Sequence, residues 1–178
     1  YDAVMQLKGR FLDDLFDEIG GSRVRKKGFK EFCVEQAHWL EPYADFCRQR
    51  DEYRTANFRL WPEENLRSGE ERAAERIRMK HRFVQYLAHT QMRRAHETAM
   101  EHGVILKGDI PIGIKRDSVP AREDTRLFHF DGQAGAPPDA FARHGQNWGF
   151  PTYHWAEMAK DGYAWWRRRF AHTGLYFD

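Results

Sequence analysis

At 178 residues the chain has room for one ordinary domain with a sizeable core, or for a piece of one. Charged residues make up 31%, apolar residues 41% and aromatic residues 15%, a globular composition that excludes the disordered and membrane classes. The net charge of +2, with basic residues interleaved among acidic ones as in Glu70-Glu71-Arg72, lacks the electrostatic footprint of a nucleic-acid binder, and no apolar run is long enough to span a bilayer. Cys33 and Cys47 have no zinc or redox spacing and read as reduced thiols of a cytoplasmic protein. Tyr1 already lies inside an amphipathic pattern, so the chain is expected to be a fragment of a longer protein.

Val4, Leu7, Phe11, Leu12, Leu15 and Ile19 recur at helical spacing and predict a helix over 2–19, stopped at Gly20-Gly21. Phe29 to Cys47 keeps one apolar face. Pro42 removes an amide and predicts a break, with helices over 29–40 and 42–53. Asn57 to Gly69 reads as an irregular bridge. Residues 70–102 contain no Pro or Gly and predict the longest helix, capped by Gly103. His89 and His96 stand two turns apart on it. Zinc normally needs nearer ligands or a Cys partner, so surface or capping histidines are expected and no metal is assigned.

Val104 to Ile114, VILKGDIPIGI, is a near-continuous apolar run that suits a strand buried on both faces, as in a parallel barrel. The following stretch, Gly132 to Pro151, has neither a helical nor a strand period and predicts a long loop. Phe141, Trp148 and Phe150 argue that it is ordered and functional. Short helices are expected at 153–158 and 161–177, the latter with Tyr163, Trp166 and Phe170 inward and Arg167 to Arg169 solvated.

Asp109, at the end of the strand candidate, is either a functional carboxylate or the cap of a turn. Asp117-Ser118 could cap in the same way. In the loop, Asp139, Phe141, Gln146, Asn147 and Trp148 combine an aromatic face with amide and carboxylate groups, the chemistry a sugar ring needs. The alternative is a loop that Trp148 simply anchors.

LKGDIPIGI, AGAPPDAF, GQNWGFPTYHW and DGYAWWRRRF closely resemble the 4-alpha-glucanotransferases (amylomaltases, or disproportionating enzymes) of glycoside hydrolase family 77. FCVEQAHWLEPYADF and RLWPEE extend the resemblance back to about Phe29, and Phe150-Pro151 points to the larger maltose-acting form. The resemblance implies a mainly α fragment of an α/β (β/α)8 TIM barrel, with a helical insertion over about 29–103, the strand at 104–114 and an active-site loop over about 115–151. It implies transfer of α-1,4-glucan segments to an acceptor sugar by a retaining double displacement, through two carboxyl groups ~5 Å apart, without a cofactor. It places Asp109 at the floor of the cleft, Asp139 to Phe141 in a lid, and Gln146 to Trp148 along sugar subsites.

The family's nucleophile stands in an Arg-Ile-Asp-His stretch beyond Asp178, and its two other acidic groups lie further on. No catalytic carboxylate is therefore expected here, and the fragment alone is expected to be inactive. Its partners would be maltooligosaccharides or α-glucan, with neither nucleic acid nor membrane. Lacking a neighbour, the strand at 104–114 would expose an edge open to homodimer pairing. A non-catalytic helical interaction domain, with 70–102 as partner surface, is the alternative reading.

Overall fold

The computed structural model describes residues 1–63 and 68–178; Glu64, the last residue of the RLWPEE motif, falls outside them. The chain forms two units, residues 1–92 and 93–178. It is mainly helical, with four strands of two residues each among the described residues. The buried barrel strand expected at 104–114 is absent, for reasons given below.

In the first unit, α1 (Asp2–Leu15) runs into a π-helical turn (Phe16–Gly20) and the single turn α2 (Gly21–Arg23). Next come α3 (Lys27–Glu35), α4 (Ala37–Tyr53) and the first part of α5 (Ser68–Glu101). Phe16, Phe29 and Phe83 form the centre of the core, with Leu15, Ile19, Val24, Met79, Tyr86 and Leu87 around them. The Phe16 and Phe83 rings lie 5.5 Å apart, and Phe29 meets Tyr86 edge-on at the same distance. Leu15, Phe16, Ile19, Phe29, Phe83 and Leu87 stand at helical spacing in the sequence, whereas Val4, Leu7 and Phe11, at the same spacing in α1, are exposed.

The break between α3 and α4 falls at Gln36, where the sequence had pointed to Pro42. The Gln36 carbonyl accepts the amides of Trp39 and Leu40, and its side-chain oxygen accepts the Trp39 indole N–H at 2.8 Å. These bonds start a new helix at Ala37. Pro42 then lies inside α4 and removes only the amide bond that would reach His38.

Arginines tie α4 to α5. Arg48 is fully buried, with Nη1 on Glu52 at 2.8 Å and Nε on Asp45 at 3.3 Å. Asp45 also accepts Arg78 Nε at 3.1 Å. Arg82 donates to Glu75 at 2.6 Å and to Glu41.

The second unit begins with the end of α5, which closes as expected at Gly103. The φ there is +67°, Val104 N bonds to Ala99 O, and Gly103 N bonds to Met100 O, a left-handed helix cap. Residues 104–114 follow without regular structure. Val104, Ile105 and Ile112 are exposed, and the hydrogen bonds that hold the start of the segment come from Asp178, whose N donates to Leu106 O while its Oδ2 accepts Leu106 N. A strand buried on both faces needs a ladder on each side. Among the described residues this segment has no partner strand, so its apolar run takes no β-structure.

Ser118 caps α6 (Val119–Glu123) by accepting the Ala121 amide. A β-ribbon comes next, followed by α7 (Trp155–Ala159) and α8 (Ala164–Thr173). The core here is Leu127, Phe128, Met158 and Trp165, packed against Ile114, Phe130, Tyr153 and Trp166. The inward face of α8 differs from the expected one. Trp165 is 6% exposed, whereas Tyr163 and Phe170 are 44% and 58% exposed. Tyr163 stands before the helix in a left-handed conformation, with φ +59°, which shifts the buried position to Trp165. Arg169 also leaves the solvated side. Its guanidinium lies over Trp165 and Trp166 and donates to Pro111 O at 3.2 Å.

Candidate functional site

Residues 128–153 form a ribbon-like hairpin held by two short antiparallel pairs; within 132–151, where a loop was expected, only Gly135–Ala136 and Gln146–Asn147 are strand. β1 (Phe128–His129) pairs with β4 (Thr152–Tyr153), and β2 (Gly135–Ala136) with β3 (Gln146–Asn147). Between the ladders, Ala134 N donates to Phe150 O and Trp148 N to Ala134 O, at 2.9 and 3.0 Å. Strands of two residues are too short to carry an alternating pattern, which is why periodicity missed them.

Two side chains tie this ribbon to the segment before it, one from within the ribbon and one from outside. The Phe150 ring lies on Gly113, where a Cβ would stand 2.3 Å from the ring, so only glycine admits the contact. Arg116 donates to three backbone carbonyls, those of Phe130, Gly132 and Gly149. Phe150 was singled out from sequence as an ordering aromatic of the loop; Arg116 was not. The available signal was a basic residue directly after an apolar run and before a cap, which also fits an exposed lysine or arginine.

Gln146, Asn147 and Trp148 come together on one strand and its exit. Gln146 Oε1 accepts the Trp148 indole N–H at 3.1 Å, and Asn147 Oδ1 accepts Gly149 N at 2.9 Å. The Trp148 ring is 42% exposed and lies 5.8 Å from the Phe150 ring. Its indole is therefore held at the N–H and along one side while much of it stays open. Asp139 and Phe141 sit at the hairpin tip. Asp139 Oδ1 accepts the amides of Phe141 and Ala142 at 2.8 and 2.6 Å, so the carboxylate shapes the turn. Phe141 is 98% exposed.

Asp109 is exposed on the irregular segment, just after Gly108, which packs under the Phe177 ring. Chemically, the ribbon can offer two aromatic surfaces and a set of amide groups to a ligand with both C–H faces and hydroxyls. Among the described residues there is no group of three His, Cys, Asp or Glu able to hold a metal ion. The histidines of α5 are engaged locally. His81 Nε2 lies 2.8 Å from Asp51, the His89 ring 4.9 Å from the Phe32 ring, and His96 Nε2 3.3 Å from Asp178.

The chain is 37% identical over 185 residues to the 4-alpha-glucanotransferase DPE2 of rice, a match covering 99% of this chain and 20% of the rice protein. It is 31% identical to the 4-alpha-glucanotransferase of Aquifex aeolicus, covering all of this chain and 38% of that protein. Among solved structures, the amylomaltase of Streptococcus agalactiae in complex with acarbose superposes with a TM-score of 0.82 at 24% identity, over 99% of this chain and 38% of that one. The amylomaltase of Corynebacterium glutamicum gives 0.70 at 25% identity, over 90% and 22%. The chain thus spans between a fifth and two fifths of the length of these proteins. The family model for 4-alpha-glucanotransferase, glycoside hydrolase family 77, matches residues 1–178, taking in the helical unit as well as the ribbon. The chain belongs to that family.

Proposed function

We propose that this chain is the glucan-binding part of a 4-alpha-glucanotransferase, an enzyme that moves α-1,4-glucan segments to an acceptor sugar. In this reading residues 29–103 are the helical insertion of a barrel domain. Trp148 and Phe141 are the sugar-facing aromatics, Gln146 and Asn147 supply hydrogen bonds to hydroxyls, and Asp109 and Asp139 are supporting carboxylates. The observation that carries it is the pairing of a half-open indole at Trp148, held by Gln146 and Phe150, with the fully offered ring of Phe141 on the same ribbon. The greater identity to rice DPE2 than to the Aquifex relative, 37% against 31%, supports the larger form, since this chain covers 20% of the rice protein and 38% of the Aquifex one; action on maltose is part of the proposal.

The catalytic carboxylates are assigned to sequence outside these residues. Asp139 already spends one oxygen on two backbone amides, which favours a structural role for it over general acid–base work. The test is a titration of the purified chain with maltotriose, followed by Trp fluorescence, alongside an assay for glucose release. Binding without turnover is expected. No fluorescence response would remove the binding role, and glucose release would overturn the assignment of catalysis elsewhere.

Two subsidiary readings go with it. The extended segment with Ile105 and Ile112 exposed is the edge through which a second copy would pair, which light scattering checks. The free thiols Cys33 and Cys47 support a cytoplasmic setting. Among the described residues no helix is long and apolar enough to cross a membrane.

A further inference from the structure

We propose that Arg116 is a positioning residue for glucan binding: its guanidinium clamps both arms of the ribbon between the two ladders and so sets the orientation of Trp148. The inference rests on the glucan-binding reading of the ribbon and adds the residue that holds it.

The ladders end at His129 and Thr152 on one side and begin at Gly135 and Asn147 on the other. Between them the arms are joined by only the two backbone bonds through Ala134. Arg116 enters this interval. Its Nη1 donates to Phe130 O at 2.7 Å and its Nη2 to Gly132 O, both on the incoming arm. Its Nε donates to Gly149 O at 3.1 Å on the outgoing arm. A planar fork of donors is suited to three carbonyls at once, whereas an ammonium on a flexible stem is a single point of attachment.

Gly149 directly follows Trp148 and has a φ of +76°. Its N–H is taken by Asn147 Oδ1 and its carbonyl by Arg116, so the peptide leaving Trp148 is fixed from both ends. Trp148 N is itself bonded to Ala134 O, and the indole N–H to Gln146. Beside the two backbone bonds through Ala134, Arg116 supplies the side-chain tie between the exit of Trp148 and the opposite arm. Loss of the fork should leave the helical unit intact and let the Trp148 ring move.

The experiment uses the 178-residue chain with 5-fluorotryptophan in place of its six tryptophans. The Trp148 line in the 19F spectrum is assigned with Trp148→Phe, and maltotriose is the probe. In Arg116→Lys and Arg116→Gln, the Trp148 line is expected to shift or broaden while lines from the first unit stay in place. Maltotriose should bind on the order of tenfold more weakly, the scale of one lost charge-assisted hydrogen bond.

An unmoved Trp148 line in both variants would overturn the proposal. So would a collective change of all six lines, which would make Arg116 a general support of the fold. If the Trp148 line responds to Arg116→Lys but the wild-type line ignores maltotriose, the clamp stands and the glucan reading falls.

Discussion

Gly135 lies so close to Gln146 that a Cβ built on it would stand 2.1 Å from the Gln146 carbonyl oxygen. That oxygen belongs to the facing strand of the β2–β3 ladder, so a side chain at 135 cannot be met by rotating a neighbour; one arm must move. Gly135→Ala is expected to open the upper ladder at a cost of about 1–3 kcal/mol, in the range of overpacked sites. Hydrogen exchange should show faster loss of protection at Ala134 and Trp148, whose amides bond across the arms. Exchange in 27–53 should be unchanged, and unaltered protection at Trp148 would refute the prediction.

Asp45 is the shared acceptor of two arginines on different helices, Arg48 within α4 and Arg78 on α5. The Arg48 side chain is 1% exposed, so it cannot turn to water when an acceptor is withdrawn. Asp45→Ala should destabilise the first unit by about 2–3 kcal/mol, because it removes the acceptor that the buried Arg48 shares with Arg78. Urea unfolding followed by helical circular dichroism measures this. In the Arg78→Ala background the loss should be smaller, since one of the two bonds to Asp45 is already gone; equal losses in both backgrounds would show that the helices are not coupled through Asp45.

Burial works to raise the Asp51 carboxyl, but hydrogen bonds from His81 and Arg50 outweigh it and hold the group below the usual carboxylate range. The unfolded chain would protonate Asp51 at its ordinary value of about 3.9. Asp51 therefore stabilises the first unit fully above that pH, and its contribution disappears as pH falls through the lowered value. The carboxylate is partly exposed, so Asp51→Asn should cost about 1 kcal/mol or less at pH 7. It should cost nothing near pH 2, with a correspondingly flatter acid limb in thermal melts. A constant difference between wild type and variant from pH 7 to 2 would show that the ionised form plays no part.

The helices were legible in the sequence because apolar residues recur along them at helical spacing, although in α1 Val4, Leu7 and Phe11 of that stripe are exposed. Phe16, Phe29 and Phe83 all belong to a helical period, and all are core. The errors fall where bonding, not burial, decides the structure. Gln36 starts a helix through its own carbonyl and amide oxygen, a role its residue type does not announce. The apolar run at 104–114 has the composition of a strand, but strand formation depends on partners that no local pattern encodes. At the ribbon, Gln146, Asn147 and Trp148 were recognisable as a group, but Arg116 was hidden because a residue that binds carbonyls distant in sequence looks like any exposed cation. Asp139 was read as a candidate ligand, and its observed bonds to Phe141 and Ala142 give it a turn-forming role as well.

Phe141 and Trp148 allow binding to be separated from folding. Phe141 is 98% exposed at the hairpin tip, and Asp139 shapes that tip by bonds to backbone amides, which do not depend on the Phe141 side chain. Phe141→Ala should therefore leave the thermal midpoint within about 2 °C of wild type, since surface substitutions of this kind change stability by no more than about 0.5 kcal/mol. Trp148→Ala removes a ring that packs on Phe150 and should lower ribbon stability by about 1 kcal/mol as well as binding. If the ribbon takes a glucan through its aromatic faces, both variants should weaken maltotriose binding, by roughly two- to twelvefold for an aromatic contact of about 0.5–1.5 kcal/mol. Isothermal titration gives the affinities and differential scanning calorimetry the midpoints. The decisive variant is Phe141→Ala, because no loss of packing accompanies it. Weaker binding at unchanged stability makes the exposed phenylalanine a ligand contact, and unchanged binding removes the hairpin tip from the site.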